Sequence, residues 1–594
     1  MRTNRKTEEK KMSMSKNIAR LAVTAGLTAA LSFGGVMAPV TMAFAAEGGA
    51  GSTVTFNDPT YQETTTYKGI QIFAANVSDS AVTNIQWAGS SQAEKDAIRD
   101  VVVSAIDEAV KAEDSTKSYS SKNAQDAAEW LNEHAETNEA TKVASDNVLN
   151  VIAKKLNTAA FSGAWKATNQ DNKSLSGLAA GYWLFLTNSV AEGSNNSSKD
   201  VFTSPVYAVV DGVTDKVVTP KKSVPTVDKK IVSARGDKEL DASDSHVGQE
   251  VTYNLYGTVA DNYDTYGTYF YQFSDQLSKG LTLETGFTAT LYANKNLAQA
   301  DINHANGTDV TSSFTQSAES VDPATGNKTT TWTCDNLKSV KGVTAGSCIV
   351  VSYTAKINSE ATVGYNAGNT NTVKLKYSNN PMTTDTGTTV PDEVKTYTYG
   401  LKLNKVDLGT EKALPNAQFT IKVKAAADSS LKGKYVHLDG TLGDDAYKFT
   451  TGDDGAFAVK GLGAGTYTVE ETDAPENYDK VVSFDFTIKP KNESGTTGES
   501  SSADKYELTA PSDQVIIGKP DDKKGDNKLE AKTNTATNDD GTFNITVGDT
   551  KHVGLPLTGL NGVTFTWIAG GAVLCIGVAH LIRSRKQAEE SEQE

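Results

Sequence analysis

The sequence predicts a mainly β protein: two β-sandwiches in tandem, preceded by an α+β unit and followed by a transmembrane helix. Three observations predict it. From residue 221 to 551 apolar and polar residues alternate in short runs between turn signals. Before that, Ile98, Val101, Val102, Ala105, Ile106 and Ala109 recur at helical spacing. Near the end, the apolar run from Val563 to Ile582 is long enough to cross a bilayer core of about 30 Å.

The length of 594 residues allows three or four domains. A net charge of -16 excludes nucleic acid as a partner, because phosphate binding needs clustered Lys and Arg. Six His and three Cys, with no pair at zinc-ligand spacing, point to no metal and no cofactor.

Residues 1–45 read as a signal peptide. Basic residues run from Arg2 to Arg20, an apolar stretch follows from Leu21 to about Val36, and Ala43-Phe44-Ala45-Ala46 supplies small residues for cleavage. Residues 46–220 form the α+β unit. It opens with strands at Gly51–Phe56 and Tyr67–Phe73, places further short helices around Trp130-Leu131 and Val148–Ile152, and closes with strands at Gly181–Leu186 and Val206–Val210. Residues 221–394 and 395–551 are the two sandwiches, with Pro381–Pro391 read as a linker between them. Polar stretches at Asn492–Asp504 and Asp521–Asp540 read as loops or insertions. Residues 552–594 hold Leu555-Pro556-Leu557-Thr558-Gly559, the 563–582 span and the basic cluster Arg583-Ser584-Arg585-Lys586, which the positive-inside rule keeps in the cytoplasm.

That last order resembles the cell-wall sorting signal of sortase substrates. The resemblance implies that a sortase Cys attacks the carbonyl of Thr558, releases Gly559 onward, and passes the acyl group to an amine. The chain is then a secreted, peptidoglycan-anchored substrate and not an enzyme. The residues 46–220 carry no Gly-x-Ser-x-Gly or His-Glu-x-x-His, and Asp453-Asp454-Gly455 reads as a turn, since the later ligands of a calcium loop are missing.

In the last sandwich, Lys405-Val406-Asp407, Leu414-Pro415-Asn416-Ala417-Gln418-Phe419 and Tyr467 through Glu471 and Ala474-Pro475 to Tyr478 resemble the Cna protein B-type domain, with Asn477 in place of the family's Gly. The resemblance makes the sandwiches Ig-like, of the Cna type. Strand alternation selects the same side chains independently, because residues two apart share a face. Leu401, Leu403 and Lys405 share one face, Tyr467, Val469 and Glu471 another, and Phe543, Ile545, Val547 and Asp549 a third. Inward Lys and Glu are costly as isolated charges. Burial favours a neutral amine and a protonated acid, and these can condense with a side-chain carbonyl into an uncharged amide. The family's acceptor is an Asn on the final strand. Here Asn544 points away and Asp549 points in, so the expected bond is Lys405–Asp549 with Glu471 as the acid.

The middle sandwich has a parallel set. Val227, Lys229 and Ile231 share a face, leaving Lys230 solvated; so do Tyr271, Phe273 and Asp275, and Asn371, Val373, Leu375 and Tyr377. This resembles the middle domain of shaft pilins, which implies a Lys229–Asn371 bond with Asp275 as catalyst. The 46–220 unit, with Tyr67 through Gln71-Ile72-Phe73, resembles the amino-terminal domain of the same proteins.

Val217-Val218-Thr219-Pro220-Lys221-Lys222 resembles the pilin motif, with Thr219 where the family has Tyr. The resemblance implies that Lys221, with Lys222 as rival, attacks the Thr558 acyl-enzyme of the next subunit. The chain thus reads as the major shaft pilin of a sortase-assembled Gram-positive pilus. Its partners are pilus-specific and housekeeping sortases, copies of itself, accessory pilins and peptidoglycan. The alternative is a monomeric wall-anchored adhesin whose host receptor is a protein or glycan. Cys334 and Cys348 are either a disulfide or two buried thiols.

Overall fold

The computed structural model describes residues 51–58, 65–78, 81–135, 144–168, 173–190, 201–220, 222–234, 236–364 and 368–488, the strand segments 490–491, 507–508, 513–517 and 529–532, and residues 542–551. The signal-peptide reading, Leu555-Pro556-Leu557-Thr558-Gly559, the 563–582 span and Lys221 fall outside these. Among the described residues no helix is long and apolar enough to cross a membrane.

The fold is mainly β. At the amino end, one sheet places Ser52–Phe56 between Ser174–Leu178 and Lys216–Val218. A second joins Val82–Trp87, Thr65–Val77, Gly181–Val190 and Val206–Val210. Helices α1 (Gln92–Glu113), α2 (Ala124–His134) and α3 (Val148–Leu156) cover this second sheet. Ile98, Val102, Ala105 and Ile106 of α1 pack with Ile70, Ile72, Leu184 and Leu186 in one core. Each helix starts on a side chain that accepts from the first turn: Ser91, Asn123 and Asn147.

In the middle sandwich Val227–Val232 lies between Glu239–Leu240 and Glu250–Thr258, and the sheet continues through Cys348–Ile357 and Leu281–Tyr292. The facing sheet runs Ala242–Asp244, Asp392–Tyr397, Asn369–Ser378, Tyr271–Leu277, Lys328–Cys334. Side chains from both inner faces, among them Tyr253, Phe273, Trp332, Val351 and Leu375, fill the space between them.

Three expectations are corrected here. Pro381–Pro391 is not a linker. Thr386–Thr388 pairs with Asn369–Ser378, and Asp392–Tyr397 returns to the same sheet, so these residues are a turn within the middle sandwich. The last of these strands in the chain runs on to Tyr397, past the expected boundary at 394. The disulfide alternative is also removed. Cys334 lies in the inter-sheet core, whereas Cys348 lies on the other face of its strand, with Tyr256, Tyr292, Ala298 and Val350. A sheet separates two free, buried thiols. Burial pushes the Cys348 thiol up to about 12.

In the last sandwich Tyr399–Asp407 and Thr542–Asp549 run parallel, side by side, with Lys405 opposite Val547 and Asp407 opposite Asp549. Asp513–Ile517 and Leu529–Lys532 extend this sheet, so the polar stretch at 521–540 includes a strand. The facing sheet carries Gln418–Ala425, Gly465–Asp473 and Phe484–Ile488. The two sandwiches touch where Val247 N–H donates to Gly461 O (2.8 Å) and Ala464 N–H to the Asp244 carboxylate (3.1 Å).

Candidate functional site: two buried lysine clusters

The first cluster forms between the sheets of the middle sandwich. Lys229 enters from the second strand of one sheet, between Val227 and Ile231, and its side chain is fully buried. Asp275 and Asn371 enter from adjacent antiparallel strands of the other, where Asp275 lies opposite Val373 and Asn371 opposite Leu277. Their inward positions follow from the two-residue period of each strand. Lys229 Nζ contacts the Asp275 carboxylate and donates to Asn371 Oδ1 at 2.5 Å. Lys230, one residue on, lies on the other face and pairs with Asp241 in a half-buried contact.

Two further residues complete this cluster, and sequence reasoning missed both. Tyr353 enters from Cys348–Ile357, between Val351 and Ala355. Its hydroxyl donates to Asp275 and accepts from both Lys229 Nζ (3.0 Å) and Asn371 Nδ2 (2.7 Å). It is the polar-tipped residue on an otherwise aliphatic inward face, which is a signal the sequence carries. Asp392 accepts the Lys229 backbone N–H at 2.6 Å and so ties this strand to the facing sheet.

Burial lowers the Lys229 amine to about 8, with Asp275 opposing. Burial likewise raises Asp275, with Lys229 opposing. Both shifts favour the uncharged forms. The amine lies against the side-chain carbonyl of Asn371, and the acid and the tyrosine hydroxyl lie beside it. This is a near-attack arrangement for amide exchange with a proton donor in contact. Tyr353 accepts from the Asn371 amide and donates to Asp275, so Tyr353→Phe should slow the loss of ammonia by about 100-fold, the low end of what a positioned proton-transfer group contributes. Timed intact-mass spectra of the newly folded protein check this, and an unchanged rate would remove Tyr353 from the reaction.

The second cluster lies in the last sandwich. Lys405 Nζ contacts Asp549 and donates to Glu471 Oε2 at 2.9 Å, and all three side chains are fully buried. Glu471 Oε2 also accepts the Val481 N–H at 2.8 Å. The other oxygens, Glu471 Oε1 and Asp549 Oδ2, have no hydrogen-bond donor. Two buried carboxyl groups facing one amine, each with an orphan oxygen, are satisfied when one of them carries a proton. Burial pushes Asp549 up to about 7, with Lys405 opposing and the Glu471 charge adding to the rise. The set therefore places the lysine nitrogen, the acceptor carboxyl and a second carboxyl in contact.

Asn477 has φ +68°, the left-handed region in which Gly is unstrained and Asn is tolerated, so the departure from the Cna pattern keeps the backbone turn. The next residue, Tyr478, donates its hydroxyl to Asp407 at 2.6 Å and closes the end of the first strand. Among the described residues no group of three or more His, Cys, Asp or Glu could hold a metal ion.

The fold and these clusters define a class: tandem β-sandwiches in which a buried lysine contacts a carboxyl group and an Asn or Asp of another strand. Within it, residues 399–502 match the family model of the SpaA prealbumin-like fold domain. The comparison with curated proteins found no match. Among solved structures, the chain is similar to the T6 backbone pilin of Streptococcus pyogenes serotype M6 at 15% identity, covering 86% of this chain and 100% of that one, with TM-score 0.48. The full-length major pilin SpaD of Corynebacterium diphtheriae matches at 15% identity over 86% and 99%, with TM-score 0.42. The major pilin subunit BcpA of Bacillus cereus matches at 15% over 65% and 89%, with TM-score 0.34.

Proposed function

We propose that this chain is the structural shaft subunit of a covalent surface pilus, stiffened by two internal amides and polymerised by a sortase. The observation that carries the reading is the repeated cluster: in each sandwich a buried lysine amine contacts the side-chain carbonyl or carboxyl of a strand distant in sequence, with an acid at hand. In the middle sandwich Lys229 Nζ attacks Asn371 Cγ, the new N–C bond replaces the amide C–N bond, and ammonia leaves. Asp275 protonates the carbonyl oxygen and then carries protons to the leaving nitrogen. In the last sandwich Lys405 attacks Asp549 and water leaves, with Glu471 in the acid role.

Each amide removes two or three charges or strong dipoles from a dry interior at once, which an ion pair does not do. Each also fastens distant strands of one sandwich, which matters for a fibre under tension because such a bond persists when reducing conditions would break a disulfide. The sorting motif supports the assembly step. A sortase acylated by Thr558 transfers it to Lys221 of the next copy, placing both sandwiches in series along the fibre.

Two substitutions test assembly. Wild-type wall extracts should give a ladder of high-mass species on a denaturing gel, and both Lys221→Ala and Thr558→Ala should leave monomer only. A ladder that survives Lys221→Ala would reassign the linking lysine. Monomer in the wild type would favour the wall-anchored adhesin.

A further inference from the structure

The amino-terminal unit contains a third buried lysine–carboxyl pair. Asp58 follows the first strand, Ser52–Phe56, and Lys222 follows the last, Lys216–Val218. These strands run parallel and adjacent, with Phe56 opposite Val218, and Asn57 N–H donates to Val218 O at 2.7 Å. First and last strands of the final sandwich, which carry Lys405 and Asp549, pair in the same parallel way.

The Lys222 side chain is 1% exposed and that of Asp58 9%. Lys222 Nζ lies 2.6 Å from Asp58 Oδ2 and 3.0 Å from Thr65 Oγ1. Tyr67 O–H donates to the same Asp58 oxygen, and its ring, stacked on Phe56, lies 5.0 Å from Nζ. Burial lowers the Lys222 amine to about 8, with Asp58 opposing. Thus an amine meets a carboxyl carbon's oxygen in a nearly dry site, with a phenol placed to donate to the oxygen that would carry charge in a tetrahedral intermediate.

We propose that Lys222 and Asp58 form a third intramolecular amide, joining the first and last strands of the amino-terminal unit. The proposal extends the amide chemistry of the two sandwiches to a site with the order reversed, acid first and lysine last. The balance closes without a co-reactant. The ammonium of Lys222 gives up two protons, Asp58 gives up one oxygen, these leave as water, and a Nζ–Cγ bond replaces the C–O bond. The bond removes Lys222 as a competing nucleophile beside Lys221. It also fastens the amino-terminal unit to the residue next to the proposed load point.

The test uses the full chain expressed without its pilus sortase, so that it remains monomeric, with the processed amino terminus read from the same digest. Three amides should lower the intact mass by about 53 Da, against about 35 Da for the two sandwich bonds alone, expected from the leaving water and ammonia. Trypsin should fail to cut after Lys222, and tandem spectra should contain a branched peptide joining the segments around Asp58 and Lys222. Lys222→Arg should return the loss to about 35 Da without touching the sandwich bonds. A loss of about 35 Da in the unsubstituted chain, a free Lys222, or Lys222 carrying Thr558 in assembled fibre would each overturn the proposal. An unchanged mass would instead remove the sandwich bonds as well, so the two failures read differently.

Discussion

Asp275→Ala should destabilise the middle sandwich more than any other single substitution in its cluster. It removes the acid needed for the amide, so Lys229 and Asn371 remain unlinked and the loss of ammonia disappears from the intact mass. The missing cross-link accounts for about 2–4 kcal/mol. It also leaves a fully buried lysine whose carboxylate partner is gone, a situation that costs about 3–5 kcal/mol. Asn371→Ala separates the two effects. It deletes the acceptor but keeps the Lys229–Asp275 contact, so it should show only the cross-link share. The pH dependence follows from the amine. Beside Asp275 the buried Lys229 amine sits at about 8, and removing that carboxylate takes away what opposes burial, so in Asp275→Ala it falls lower still and from there up to the usual lysine value the unfolded chain binds more protons. Stability of Asp275→Ala should therefore rise with pH across that window. Denaturant unfolding of both variants at several pH values checks this, and equal losses for both at all pH would discard the buried-charge account.

Substitutions at Asp549 should separate chemistry from geometry in the last sandwich. Asp549→Ala ends cross-linking and costs the same about 2–4 kcal/mol, plus whatever the emptied site loses in packing. Asp549→Asn should still cross-link, losing ammonia where the natural chain loses water. The products are the same molecule, so the two mature proteins should have identical masses. Their kinetics should differ. The natural acceptor must gain a proton before it can lose water, and Asp549 takes it up at about 7. Cross-linking of the natural chain should speed up as pH falls through about 7, and Asp549→Asn should lose that dependence. Glu471→Gln should stop both. Amide formation in Glu471→Gln at the natural rate would take Glu471 out of the acid role.

Much of this arrangement is legible in the sequence, because a strand's side chains alternate with a period of two. Once Val227-Asp228-Lys229-Lys230-Ile231 is read as a strand, Lys229 points with its apolar neighbours and Lys230 does not; the structure has the first fully buried and the second half-buried against Asp241. The same counting separates Asp549 from Asn544, which is only partly buried. Tyr353 and Asp392 escaped, although both sit on legible strands. Alternation assigns a face, not the residue met across the core. The error at Pro381–Pro391 has a similar cause. Turn residues mark where a strand ends, but whether the next strand rejoins the same sheet is a question of long-range pairing.

The mainly β class, the inward lysines and acids, and the turn positions are readable from the chain because all are properties of a few consecutive residues. Which of those inward groups meet depends on how the sheets pack. That packing puts Tyr353 between Asp275 and Asn371, a sheet between Cys334 and Cys348, and Lys222 against Asp58. Strand order and register arise from contacts between separate segments of the chain, 78 residues apart for Tyr353 and Asp275 and 164 for Lys222 and Asp58, and local pattern holds no record of them.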